Sequence, residues 1–488
     1  MSKEFYKETQ NIFGETKPKR PLAVSYHNVG DLLRAATEEF RNDKNDHYGA
    51  RSGANDYDAE KLGILATSSS PRLGEHAKYL GALYQKDFRV YTTTDLKEVT
   101  RTLKPGEPKL LIVPYFNSQN VGEKAQSVGA ETWGLPPDLV EALKNKVSFH
   151  KLVQESGVEG LEVPEHKMSD KDDYVRDSLD LLNYSKQLYQ KHGMQNRYPL
   201  GVMIRLEESD GNYGSSLVRQ EADGRISITP DGDSEKRIYR QTWNDAISAS
   251  RDLIYSDKQV DPQQEPRVII SRYLDLVDSP GMSVVFLEGQ YYSLGWNGQL
   301  QLHGSMACVG TSSYNPKEGS LQEAAKNAYE AQSAEAFATF VTQTARQLGI
   351  PPESLTGIAN VDVMIYGELE AELRRKTGKK PGFYVAECNP RWTNYTDAVM
   401  AGIGATGRKP TVSNMLTVIE EGVYTEDKID LYGANPETIR DIVLPEDPRE
   451  TTDKAIVRMP DEQMGATYLG NKDRARSIME EAIDRAKP

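Results

Sequence analysis

The side chains best suited to metal and phosphate chemistry lie between residues 356 and 391. One apolar run there ends beside Asp362, and a second carries Glu387, Asn389 and Arg391. Because side chains alternate across a strand, Glu387 and Asn389 should share one face. Carboxylate and amide oxygens are ligands that Mg²⁺ prefers, and arginine pairs with phosphate oxygens. The spacing therefore predicts a site for Mg²⁺ and a polyphosphate.

The elements upstream of these side chains begin with a small α/β domain. From Lys61 the chain reads strand, helix, strand and strand, in the segments KLGILATSS, EHAKYLGALYQK, FRVYTTT and KLLIVPYF. This order predicts a parallel sheet. Residues 1–57 are polar and irregular around one helical segment, GDLLRAATEEFRND. We interpret them as an N-terminal arm.

The middle of the chain supplies further elements around the site. A helix pair with a break near Lys146 precedes a hairpin at residues 199–219, whose Gly/Ser-rich turn could cover a nucleotide. A long helix is predicted from about Ser320 to Leu348. Residues 295–316 are rich in Gly, Ser and Asn, which is typical of loops lining a site or of a connector. Two C-terminal helices are predicted, SNMLTVIEEG and RARSIMEEAIDRA.

The composition excludes several classes of protein. The chain has 488 residues and a net charge of −14, which argues against nonspecific nucleic-acid binding. Its two cysteines, Cys308 and Cys388, form no metal-like pair, so a disulfide framework or zinc site is not expected. No apolar run approaches the roughly 20 residues of a membrane span, and the N-terminus lacks a signal-like apolar region. We expect a cytoplasmic protein with neither nucleic-acid nor membrane partners.

Common catalytic motifs are missing from the sequence. No Gly-Lys pair has the spacing of a phosphate-binding P-loop, and neither His-Glu-x-x-His nor Gly-x-Ser-x-Gly occurs. One dinucleotide-like match, Gly402, Gly404 and Gly407 in GIGATG, lacks the strand–helix–strand context that would support it. His303 is the one histidine in a predicted site loop, where a structural role is favoured over catalysis. A different nucleotide-binding arrangement is needed.

Several features, in order along about residues 130–410, resemble the ATP-grasp superfamily. They are Lys146, Arg205, the turn at residues 208–216, the strand RVIISRYL, Asp362 and the segment ECNPR. Glu-x-Asn-Pro-Arg with an upstream aspartate is the most specific of them. The resemblance implies an α/β and α+β fold, in which an N-terminal α/β (pre-ATP-grasp) domain precedes a two-lobed ATP-grasp fold.

We expect five regions on this basis. They are an arm (1–57), a pre-ATP-grasp domain (58–135), a lid and central subdomain with linker helices (136–274), a catalytic subdomain (275–420) and a C-terminal extension (421–488).

The resemblance also implies roles for individual residues. The metal ligands would be Asp362, Glu387 and Asn389, and Arg391 would contact transferred phosphate or substrate. Arg205 would act in catalysis as well as in phosphate binding. The nucleotide-binding positions would be Lys146, Arg205, Gly211, Gly214, Ser215 and Ser216, with Ser271, Arg272, Tyr273 and Leu274 against the adenine.

The chain departs from the family pattern at two places. The basic residue entering the glycine turn is Arg205 where lysine is usual, and acidic residues follow it at Glu207, Glu208 and Asp210. Carboxylates repel a triphosphate unless they face away or bind a substrate amine. The basic residue that often lies two positions before the first metal ligand is replaced by Asn360. Another arginine would then contact the acyl phosphate.

The implied function is an ATP- and Mg²⁺-dependent carboxylate–amine ligase that forms an acyl phosphate and then an amide or peptide bond. Its partners would be small carboxylate and amine substrates, such as amino acids or peptides, and an oligomer is compatible with the sequence. Two alternatives stay open: ligation to a thiol or bicarbonate, and a catalytically silent ATP-binding module. The intact set of Asp362, Glu387 and Asn389 favours catalysis.

Overall fold

The computed structural model describes most of residues 20–399 and three strands beyond them. The described residues are 20–26, 28, 59–67, 71–84, 86–208, 214–230, 236–256, 266–301, 308–393 and 395–399, with strands Ile419–Tyr424, Lys454–Val457 and Gln463–Leu469. The GIGATG segment, His303, Gly211, the GDLLRAATEEFRND helix and the last predicted helix lie outside them. Within the described chain, three sheets carry the fold.

A five-stranded parallel sheet forms the N-terminal domain, as predicted, in the order β3-β2-β1-β4-β5. Its strands are β1 (Ala23–Tyr26), β2 (Lys61–Leu65), β3 (Asp87–Tyr91), β4 (Leu111–Pro114) and β5 (Glu131–Thr132). Helices α1 (Pro71–Tyr84), α2 (Thr93–Thr102) and α3 (Gln119–Val128) connect β2 to β3, β3 to β4 and β4 to β5.

The arm interpretation of residues 1–57 is wrong for β1, which is the central strand of this sheet. β1 is only four residues long, and its local sequence does not indicate a strand more strongly than the residues beside it do. Its pairing with β2 and β4 specifies it. Helix α2 was not predicted either. Its start is nevertheless encoded locally, because the Thr92 hydroxyl accepts from the Asp95 amide while Asp95 accepts from the Thr92 amide.

A six-stranded sheet in the order β10-β9-β8-β7-β11-β6 forms the next lobe, and its described strand pairs are antiparallel. The strands are β6 (His166–Ser169), β7 (Gly201–Leu206), β8 (Ser215–Gln220), β9 (Ile226–Pro230), β10 (Ile238–Arg240) and β11 (Val268–Arg272). The predicted hairpin is confirmed as β7 and β8. Its turn ends at Gly214, where φ is +71° and an added Cβ would lie 2.2 Å from Leu206 Cδ1, so glycine is required.

Two linker helices and two covering helices complete this lobe. The predicted helix pair is confirmed as α4 (Pro137–Lys144) and α5 (Lys146–Ser156), with the break at Asn145. Helices α6 (Tyr174–Lys191) and α7 (Trp243–Tyr255) pack against the sheet, and their buried apolar side chains share one core with those of the strands.

A nine-stranded antiparallel sheet forms the last lobe. Its strands are β12 (Leu276–Asp278), β13 (Gly281–Leu287), β14 (Gln290–Gln301), β15 (Cys308–Ser313), β16 (Gly357–Tyr366), β17 (Tyr384–Asn389), β18 (Ile419–Tyr424), β19 (Lys454–Val457) and β20 (Gln463–Leu469). Helix α8 (Leu321–Gln347) buries Phe337 and Phe340 against it, and α9 (Glu368–Lys376) lies between β16 and β17 in sequence.

Three predictions fail in this sheet. The loops expected at residues 295–316 are largely strand, because β14 runs to Gln301 and β15 begins at Cys308. The helix predicted at SNMLTVIEEG is replaced from Ile419 by β18. The expected boundary at residue 420 therefore falls inside a strand, and β19 and β20 extend the same sheet. Pairing between distant strands overrides local composition in each case.

Among the described helices, none combines the length and the apolar character that a membrane span requires.

Candidate active site

The pairing of β16 with β17 brings the predicted metal ligands together. Val361 lies opposite Cys388 and Val363 opposite Val385, so two residues of β17, one of them Glu387, oppose Asp362. This irregularity is a β-bulge, a feature that re-aims side chains beside active sites. Burial follows the alternation expected from the sequence, since Asp362, Glu387 and Asn389 are partly exposed while Cys388 is buried.

Two cations hold the Glu387 carboxylate. Its Oε2 lies 3.4 Å from Lys146 Nζ and 3.5 Å from Arg205 Nη1. Lys146 is the first residue of α5, and its backbone N–H donates to the Glu207 carbonyl at 3.0 Å. Because Glu207 directly follows β7, this bond ties the start of α5 to the strand that carries Arg205. Three elements therefore meet at one carboxylate.

Negative charge is crowded at this position. Burial, reinforced by the charge of Glu387, raises the pKa of Asp362 to about 7. Burial also acts to raise the pKa of Glu387, but Lys146 and Arg205 together lower it. A divalent cation would relieve the repulsion between the two carboxylates.

The donor set fits Mg²⁺. Within the described chain, no three His, Cys, Asp or Glu side chains are grouped as ligands of one metal ion. Asn389 lies on the same face of β17 as Glu387 and offers an amide oxygen. Two carboxylates and an amide oxygen form the hard-oxygen set that Mg²⁺ selects.

The site opens into a cleft that Lys146, Glu387, Asn389 and Arg391 line. Other lining residues that the sequence did not predict as site residues are Phe116, Val140, Lys144, Cys388 and Pro390. Phe116 follows the C-terminal end of β4, the edge at which parallel sheets bind ligands, so strand order was the signal that could have found it.

The acidic residues after Arg205 face different ways. The Glu207 carboxylate is held by Arg267 at 3.1 Å and accepts from Asn145 Nδ2 at 3.1 Å. Glu208 does line the cleft. Of the two, Glu207 is therefore engaged by neighbouring side chains, and Glu208 lines the cleft.

Arg391 lies at the junction of the cleft with the N-terminal domain. Its Nη1 donates to the Tyr115 hydroxyl, and its guanidinium lies 4.9 Å from the centroid of the Tyr115 ring. The Trp392 N–H also donates to the Tyr115 carbonyl at 3.0 Å. These contacts fix the end of β17 against the end of β4, so the cleft has a wall from each domain.

A histidine missing from the sequence predictions also contacts this site. His150 lies one helical turn after Lys146, and its Nε2 is 2.7 Å from the Ala386 carbonyl oxygen. Burial and the charge of Arg205 lower the pKa of His150 well below its usual value, so the ring is neutral. The four-residue spacing from Lys146 was the available signal, because such residues share a helix face.

The glycine turn is only partly described. Gly214 accepts from the Leu206 amide at 2.9 Å and holds the hairpin closed, and Ser215 is buried at the start of β8. Ser216 Oγ accepts from Ser250 Oγ at 2.8 Å in the core beneath α7. The Ser216 side chain is therefore occupied in this core, and its backbone lies between two paired strands, β7 and β9.

The expected adenine contacts lie at the end of β11 and just after it. The N–H groups of Arg272 and Tyr273 already donate to the Glu165 and Gly201 carbonyls, at 2.9 and 3.0 Å. These two N–H groups are therefore occupied within the fold, where β11 lies between two paired strands, and any backbone contact to adenine at these residues has to come from other backbone atoms. The Arg272 side chain is also buried in ion pairs with Glu165 and Glu370.

Two members of the predicted hinge remain. Ser271 is paired to strands on both sides, and its Oγ is buried with no hydrogen-bond partner in the part of the chain that the structure describes. Leu274 follows β11 and packs with Met364, Tyr384 and Ala386. Leu274 therefore connects the end of β11 to the strands that carry the predicted metal ligands.

Asn360 belongs to a buried polar cluster. Its Nδ2 donates to Ser283 Oγ at 2.9 Å and lies 3.5 Å from Asn297 Oδ1. The residue is 3% exposed. It therefore ties β16 to β13 and β14.

No protein-family model and no curated protein matches the chain. Among solved structures, it is similar to an N5-carboxyaminoimidazole ribonucleotide synthetase in complex with ADP, with 10% identity and a TM-score of 0.47 over 95% of this chain and 97% of that one.

Two further solved structures give similar values. The biotin carboxylase of Campylobacter jejuni has 11% identity and a TM-score of 0.48 over 95% of this chain and 91% of that one. The phosphoribosylamine–glycine ligase of Thermotoga maritima has 10% identity and a TM-score of 0.46 over 95% and 96%.

Proposed function

We propose that this protein is an ATP-grasp ligase that uses ATP to activate a substrate carboxylate and joins it to an amine. The observation that carries the proposal is the position of Glu387 between Lys146 and Arg205, beside Asp362 and on the same strand face as Asn389. Carboxylates that hold a metal and cations that hold phosphate are the two groups of side chains that phosphoryl transfer from ATP requires.

Lys146 and Arg205 are suited to hold the phosphates. Lys146 is buried and Arg205 is largely buried close to Glu387, and Arg205 Nε is a buried donor without a hydrogen-bond partner in the described chain. A phosphate oxygen would satisfy that donor. Asp362, Glu387 and Asn389 would hold Mg²⁺, which supplies charge neutralisation for the phosphate oxygens when bound.

The reaction then needs no covalent enzyme nucleophile. A substrate carboxylate oxygen attacks the γ-phosphorus, the bond to the β,γ-bridging oxygen breaks, and ADP leaves with the electron pair. The amine attacks the acyl carbon of the resulting acyl phosphate, phosphate leaves, and the amine loses a proton. Arg391, which the Tyr115 hydroxyl and ring hold in place, is positioned to bind the carboxylate or the transferred phosphate.

The walls of the cleft would protect the intermediate. Phe116 and Val140 present apolar surface beside Glu387, and exclusion of water limits hydrolysis of a reactive acyl phosphate. Glu208 is the acid placed to receive a cationic amine. The turn at residues 208–216 would close over the phosphates, although residues 209–213 lie outside the described chain.

A trapping experiment tests this function. The protein is incubated with Mg-ATP and pooled amino acids or dipeptides, with and without hydroxylamine, and products are identified by mass spectrometry. We expect substrate-dependent phosphate release, amide products and trapped hydroxamates. Glu387→Gln should lower turnover by about 10²-fold or more while the protein stays folded. Tight ATP binding without turnover would favour a silent module. Products formed from a thiol or from bicarbonate would show that this group, and not an amine, is the acceptor.

A further inference from the structure

Two donors from different elements share the Ala386 carbonyl, immediately before Glu387. Arg205 Nη2 on β7 donates to it at 3.2 Å, and the His150 Nε2 on α5 lies at 2.7 Å. A carbonyl oxygen only accepts, so the proton of the neutral imidazole is on Nε2. The histidine makes the shorter of the two bonds.

The packing of the core does not account for a histidine here. His150 is fully buried, and its Nδ1 has no hydrogen-bond partner in the described chain. A buried acceptor without a donor lowers stability, so an apolar side chain of similar size would suit this position better for folding alone. Among the described residues, the bond from Nε2 to Ala386 is the hydrogen bond that the ring makes.

The Arg205 guanidinium would have to serve both the Ala386 carbonyl and a bound phosphate. Its Nη2 donates to Ala386, its Nη1 lies 3.5 Å from Glu387, and its Nε has no hydrogen-bond partner among the described residues. Guanidinium groups bind phosphate through two parallel N–H donors, so binding through Nη2 and Nε would take Nη2 away from Ala386. Without another donor, that movement would leave a buried carbonyl unsatisfied.

We propose that His150 is a positioning residue that keeps the Ala386 carbonyl hydrogen-bonded while Arg205 turns to a bound phosphate. This inference rests on the proposed nucleotide site. It assigns His150 no contact with ATP or with substrate. Its effect is on the free energy needed to release Arg205, and hence on nucleotide affinity.

The test measures binding of adenylyl imidodiphosphate, a non-hydrolysable ATP analogue, by calorimetry with Mg²⁺ and the full chain. His150→Leu should weaken binding about tenfold while the melting temperature is unchanged or higher. His150→Gln should restore most of the affinity, because its amide nitrogen reaches the position of Nε2. His166→Leu is the matched control, since the His166 ring packs 4.7 Å from that of His150 but is not bonded to Ala386.

A double-mutant cycle separates this role from general packing. In an Arg205→Gln background, His150→Leu should cause little further loss of affinity, because the arginine it serves is gone. Equal affinity of His150→Leu and wild type would overturn the inference, as would fully additive losses in the cycle. If the leucine variant fails to fold, His150→Met replaces it. Failure of wild type to bind the analogue would overturn the proposed function together with this inference.

Discussion

Arg272 and Glu370 form a buried, bidentate ion pair that joins the two larger lobes. Arg272 Nη1 and Nη2 donate to the two carboxylate oxygens of Glu370 at 2.9 and 2.8 Å, and both side chains are 1% exposed. Arg272 ends β11 in the six-stranded sheet, whereas Glu370 lies on α9 beside the nine-stranded sheet. The hinge predicted to contact adenine is thus a fixed ionic connection between the lobes.

Removing one partner of this pair should be strongly destabilising. Arg272→Met leaves Glu370 as a buried charge without its main partner, for which we expect a loss of about 3–5 kcal/mol in the free energy of unfolding. Arg272→Met combined with Glu370→Leu should lose less than the sum of the single variants. Urea denaturation at neutral pH measures all three. Additive losses would show that the pair does not act as a unit.

The adjoining Glu165 predicts a dependence of stability on pH. Burial acts to raise its pKa, but Arg272 and Lys379 outweigh burial and lower it from 4.5 to about 2. A lowered carboxyl pKa stabilises the fold above the unfolded-state pKa, and this stabilisation is lost as pH falls from about 4.5 to about 2. We expect on the order of 3 kcal/mol for the whole effect.

Glu165→Gln checks this dependence by denaturation at several pH values. The variant should be less stable than wild type at pH 7, and the difference should shrink as the pH is lowered below 4.5. Glu159→Gln is the matched control, because Glu159 pairs with Lys380 at 2.7 Å on the exposed surface and should change stability little. A constant difference between Glu165→Gln and wild type from pH 7 to 2 would contradict the assignment.

Asp362→Asn should separate metal binding from folding. The substitution removes a negative charge beside Glu387, so we expect unchanged or higher stability together with weaker Mg²⁺ binding. Wild type should gain thermal stability when Mg²⁺ is added, and the variant should gain less at the same concentration. Differential scanning calorimetry with and without Mg²⁺ measures both effects. An equal gain in the two proteins would remove Asp362 from the metal site.

Gly214→Ala should destabilise the β7–β8 hairpin. Alanine disfavours the φ of +71°, and its Cβ would meet Leu206 Cδ1 at 2.2 Å. We expect a loss of about 2–4 kcal/mol from the two effects. Gly224→Ala is the matched control, because Gly224 has φ of +85° with no atom near an added Cβ, and it should lose only about 1 kcal/mol. Equal losses would show that contact with Leu206 is unimportant.

Local patterns were sufficient for much of the fold. Alternation along a strand placed Glu387 and Asn389 on one face, and the apolar spacing predicted the helix pair that begins α5 at Lys146. These features depend on neighbouring residues, whose geometry repeats every two or 3.6 positions. Strand β1 was missed for the opposite reason, since its four residues become a strand through pairing with β2 and β4.

The sequence by itself determined which chemical groups are present, namely oxygen ligands and cations. It also determined their order along the chain. Only the tertiary structure decided how they meet. The bulge opposite Asp362, the shared carbonyl of Ala386 and the wall formed by Phe116 each join residues far apart in sequence. The same applies to the amide of Arg272, which its strand neighbours already occupy. Register and hydrogen-bond satisfaction arise between elements, so no local period encodes them.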